Sequence, residues 1–121
     1  MEPITIFEIV EKHMLKQKKQ SVNSGGMKCA YRGVDGLKCA VGCLIKDEFY
    51  RPDIEHGLST TPAAQEAVAK SLGYEKEQLP KNILNLLCDL QDIHDQEEPE
   101  CWKKELKKIR KRILDGVYEK Y

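Results

Sequence analysis

With 121 residues, the chain is expected to form one domain over 1–121, long enough to bury a core without a disulfide or a metal. Its 20 basic and 20 acidic residues cancel, which argues against wholesale attraction to nucleic acid or membranes and leaves only local patches. No apolar run approaches the ~18 residues of a membrane span. Met1-Glu2-Pro3-Ile4 lacks the basic start and apolar stretch of a signal peptide. These readings point to the cytoplasm, with no membrane partner. There the five cysteines are expected to be thiols rather than a disulfide framework.

Residues 5–20 read as an amphipathic helix with Thr5 as N-cap. Ile6, Ile9, Val10, His13 and Met14 recur at the helical period. Ser24-Gly25-Gly26 ends it. Met27 to Arg32 reads as a short extended run, Gly33-Val34-Asp35-Gly36 as a turn, and Leu37 to Ile45 as either a returning strand or a short buried helix. The favoured reading is a strand up to the turn and a helix after it, giving a small β-hairpin or extended arm around 27–40. Residues 46–60 form an irregular connection. Thr61-Pro62 then opens a helix whose inner face is Ala64, Ala67, Val68 and Leu72, with Gly73 as its C-terminal cap. After Pro80 a further helix runs to about Ile93, burying Ile83, Leu86, Leu87 and Leu90. Pro99 opens the last one, where Trp102, Leu106, Ile109, Ile113 and Val117 step down one face. The expected fold is mainly α, with four to five helices.

The segment K-C-A-Y-R-G-V-D-G-L-K-C-A-V-G-C-L-I-K-D-E, residues 28–48, resembles a group of small tailed-bacteriophage proteins. More distantly it is similar to bacterial proteins carrying Cys-Ala-x-Gly-x-Leu. L-Q-D-I-H-D-Q followed by Trp102 resembles the same group. The shared residues fall on Cys39, Ala40, Gly42, His94 and Asp95. The resemblance implies a phage or bacterial origin and a small helical domain, and no activity.

Three kinds of chemistry compete with plain packing. Cys39 at a helix start would be favoured as a thiolate, with His94 as base and Asp95 as its orienting partner. Against that, free cysteines are commonly small buried hydrophobes, and an Asp directly after a His rarely points at the same ring. Cys29, Cys39, Cys43 and His94 offer three thiolates and an imidazole for zinc, but the flanking ligands lack the usual spacing, so no metal and no cofactor is assigned. The last helix carries a basic run including Lys104, Lys108 and Lys111, which suits phosphates or simply a solvated face. Tyr31 and Arg32 are either an exposed binding handle, or a core residue and an ion pair to Asp47 or Glu48. The favoured function is a non-catalytic phage-type accessory protein that binds a host protein through Tyr31, Arg32 and the basic helix. A thiol enzyme using Cys39 with His94 and Asp95, and nucleic-acid binding by the last helix, are the alternatives.

Overall fold

The computed structural model describes residues 2–22, 30–55, 62–75 and 78–119. Four helices build the domain: α1 (Pro3–Gln17), α2 (Pro62–Ser71), α3 (Lys81–Gln96) and α4 (Trp102–Leu114). The fold is mainly α, as the periodicity predicts.

Proline and left-handed residues set the helix ends. Pro3 occupies the first turn of α1, where its missing N–H costs nothing, so the helix starts ahead of Thr5. Lys18 turns left-handed at φ 56° and donates its N–H to Met14 O, which stops α1 short of residue 20. Ile6, Phe7, Val10 and Met14 are buried, but Ile9 falls on the flank and is 42% exposed. In α3 the helix continues past Ile93 to Gln96, so His94 and Asp95 belong to its last turn. Gly116 at φ 84° follows α4 and turns the chain away. Val117 therefore leaves the inner face and is 49% exposed.

α1 and α3 run in one direction and α4 returns between them. The α4 start meets the α3 end, where the Trp102 indole donates to Glu97 O at 3.1 Å. Further along, Arg112 lies 3.7 Å from Asp89, and Asn82 donates to Tyr118 O at 3.0 Å. On the other flank Arg110 bonds Glu11 at 2.8 Å and stacks on Phe7. Leu86, Leu87 and Leu90 of α3 and Trp102 and Leu106 of α4 are fully buried in the shared core. Each such leucine contributes roughly 1.5–3 kcal/mol relative to exposure.

The expected hairpin is corrected. Among the described residues there is no strand, and the segment from Ala30 to Ile54 is a series of turns with short 3-10 stretches at Val34–Gly36, Gly42–Leu44, Asp47–Phe49 and Pro52–Ile54. Residues 27–29 lie outside the described set. Gly33 N–H bonds Leu37 O at 2.8 Å, closing a loop with Asp35 and Gly36 left-handed, while Val34 N–H bonds Val22 O. Leu37 to Ile45 is likewise neither strand nor α-helix. Gly42 permits this path, because a Cβ there would collide with the Tyr31 carbonyl.

Candidate functional site

His94 and Asp95 occupy the last turn of α3, where the chain after α1 crosses it. The His94 ring is fully buried and lies on Trp102, with ring centroids 5.4 Å apart and planes 26° from parallel. Its Nε2 sits 2.9 Å from the Ser21 backbone nitrogen. An amide N–H can only donate, so Nε2 must present its lone pair. The ring proton is then on Nδ1, donated to Asp95 Oδ1 at 2.7 Å. An Asp directly after a His does point at the same ring here, against the expectation. It can do so because both residues sit in a helix end that Gln20 and Trp102 cap by donating to the His94 and Glu97 carbonyls.

A second link joins this turn to the cysteine segment. Gln91 donates its amide to Asp95 Oδ1 at 2.9 Å and accepts the Val41 N–H at 3.0 Å. Ser21, held by His94, donates its hydroxyl to Ala30 O at 2.7 Å, with Leu37 O also within reach at 3.2 Å. The structure therefore brings the 30–45 segment and the end of α3 together through Ser21 and Gln91.

It does not present a thiol–imidazole pair. Both His94 nitrogens are engaged, one by Ser21 and one by Asp95, so no ring nitrogen remains for Cys39. Cys39 is fully buried, and its sulfur accepts the Gly42 N–H at 3.2 Å. Cys43 donates to Ala40 O, and burial pushes its thiol up to about 12. Burial, then the charges of Asp92 and Asp89, also raises Cys88. Cys101 stands exposed at the start of α4. Among the described residues no three His, Cys, Asp or Glu side chains converge to hold a metal ion. Cys29, one of the four zinc candidates, falls outside them.

Tyr31 is a core residue and Arg32 an ion-pair partner of Asp47, so Tyr31 cannot be an exposed handle. Tyr31 is 4% exposed. The Arg32 guanidinium pairs with Asp47 at 2.7 Å, donates to Ile45 O and lies over the Tyr50 ring. Glu55 organises this corner. Its two oxygens accept the Tyr31 N–H at 2.7 Å, the Arg32 N–H at 3.0 Å and the Tyr50 hydroxyl at 2.6 Å. Burial and this bond to Glu55 push Tyr50 up to about 12. No periodic signal marks Glu55, Gln91 or Ser21. The only hint is that a chain segment with no ladder partner needs side chains to bond its backbone.

Lys104, Lys108 and Lys111 are exposed on α4, as are Lys103 and Lys107. Lys108 pairs with Glu105 and Lys111 with Asp115, both on or next to the same helix. No helix among the described residues is long and apolar enough to cross a membrane. Compared with known protein families, curated proteins and solved structures, the chain matches none.

Proposed function

We propose that this protein is a non-catalytic, phage-type accessory protein that acts in the host cytoplasm by binding a host protein. One observation carries the non-catalytic part: the imidazole best placed to serve as a base has its lone pair taken by the Ser21 amide and its proton taken by Asp95. His94, Cys39 and Cys43 are bonded to the backbone of their own fold, and Asp95 to the His94 ring. The likeness of residues 28–48 to tailed-phage proteins supports the origin and, with it, a host target.

The surface offers a place for such a partner at the end of α4. Leu114 is 73% exposed and Val117 49% exposed. Val117 also lines a groove of about 910 Å³ with Tyr74, Leu79, Pro80 and Tyr118. Concave, mainly apolar ground beside exposed aliphatic side chains suits a protein segment. Affinity capture from a bacterial lysate tests the reading. A stoichiometric partner held by the wild type and lost with Leu114→Glu/Val117→Glu is the expected result. A partner held equally by both proteins, or none at all, contradicts it.

A further inference from the structure

The outer face of α4 is a separate surface with its own chemistry. Between Trp102 and Leu114 the chain carries seven cations and one carboxylate, while the whole chain is neutral. The remaining residues therefore hold an equal excess of acid, and the molecule is strongly polarised toward this one helix. Arg110 and Arg112 turn to the flanks, where Glu11 and Asp89 and the rings of Phe7 and Tyr118 hold them. Lys103, Lys104, Lys107, Lys108 and Lys111 are left facing solvent. Among the described residues no carboxylate lies within ion-pair distance of Lys103, Lys104 or Lys107.

We propose that this lysine face binds the phosphate backbone of duplex DNA without regard to sequence, as an activity independent of the protein-binding reading above. Four features select that occupant. Protein interfaces favour aromatic residues and Arg and are depleted in Lys, whereas phosphate recognition by point charges uses Lys readily. Single strands are held largely by stacking on aromatic side chains, yet the aromatic residues of this region, Trp102 and Tyr118, are buried. Base reading needs Arg, Asn or Gln at groove edges, and the two arginines here are held at the flanks by Glu11 and Asp89 while the lysines face outward. An α-helix also fits the width of the B-form major groove, whereas the corresponding groove of duplex RNA is too narrow.

Fluorescence anisotropy with a labelled mixed-sequence 24-base-pair DNA duplex, and with one of its strands alone, tests this. With three to five phosphates neutralised, log K against log salt should have a slope of about −2.7 to −4.5, so affinity falls about 40- to 500-fold between 50 and 200 mM salt. The duplex should bind more tightly than the strand. Lys104→Gln/Lys107→Gln/Lys108→Gln should flatten the slope by about 2 to 3. Lys12→Gln/Lys16→Gln, on the exposed side of α1, should leave the slope unchanged. Absence of duplex binding at 50 mM salt, binding that ignores salt, preference for the single strand, or equal loss in both variants overturns the proposal. The wild-type salt slope stands without any variant. A failure here leaves the protein-binding reading intact, since that reading rests on Leu114 and Val117.

Discussion

The frame of α1, α3 and α4 and the segment from Ala30 to Glu55 solve the same problem by different means. In the helices the backbone groups between the ends find partners within the helix, and sequence enters through which face is apolar. The 30–55 segment has no such ladder, so side chains from distant positions bond its backbone. Gln17 holds Lys38, Gln91 holds Val41, Ser71 holds Lys46, and Glu55 holds Tyr31 and Arg32. The helices lend polar side chains such as Gln17, Gln91 and His94 to backbone outside them, whereas their own ladders do not depend on them. A His–Asp pair or a Tyr-Arg-Gly run in such a protein is as readily a strut as a site.

Breaking each region in its own way sharpens the contrast. The largest effect in the irregular segment is expected from Gly42→Ala. The added Cβ would sit 2.7 Å from the Tyr31 carbonyl carbon, and backbone on both sides cannot yield. Chemical denaturation should show a loss of about 3 kcal/mol, comparable to Leu90→Ala in the helical core. A loss under 1 kcal/mol would mean the two turns are not pressed together. Next comes His94→Phe, which keeps a ring against Trp102 but leaves the buried Ser21 N–H without its acceptor and removes one of the bonds to Asp95. Unsatisfied buried groups cost about 1–3 kcal/mol each, so about 2–3 kcal/mol is expected. A neutral substitution would show that stacking alone matters at this position. Gln91→Leu removes the bond to Val41 and one bond to Asp95 and should cost about 1–2 kcal/mol, with faster amide exchange at Val41 as its local signature.

The smallest effect is a pH dependence. His13 donates from Nε2 to Lys38 O at 2.8 Å, because a carbonyl can only accept. Burial chiefly lowers its pKa, with the bond to Lys38 O opposing. The unfolded chain therefore takes up a proton more readily than the folded one as pH falls through about 6.5. The stability associated with neutral His13 is complete above that value and declines as pH drops toward the folded value. Urea midpoints between pH 7.5 and 5 should fall more steeply for wild type than for His13→Gln, whose amide can still reach Lys38 O. Equal slopes would remove His13 from the account.

α2, α3 and α4 were legible because Ala64–Ala67–Val68, Leu86–Leu87–Leu90 and Trp102–Leu106–Ile109 keep a helical period, and Pro62 marks its helix start. The path of 30–45 was not. Alternation and turn residues such as Asp35-Gly36 suggest a hairpin, but a hairpin also needs two runs that bond each other, and here Gln17, Ser21 and Gln91 take those bonds. Those three are ordinary polar residues at a distance of tens of positions, and nothing in a single sequence pairs Gln91 with Val41. The sequence offers Cys39, His94 and Asp95 together only as a catalytic set, whereas the cysteine segment meets the His94–Asp95 turn through Ser21 and Gln91. Val117 was misplaced on the α4 inner face because Gly116, one position earlier, breaks the period.

The state of the His94 ring tests the central claim most directly, namely that the reactive-looking residues serve the backbone. Nitrogen-15 NMR of the imidazole, read with the exchange rate of the Ser21 amide, measures it. The expected result is a neutral ring protonated on Nδ1, an unprotonated Nε2 accepting a hydrogen bond, and a Ser21 amide protected to the level of the α3 core. A ring protonated on Nε2 beside a freely exchanging Ser21 amide would contradict it.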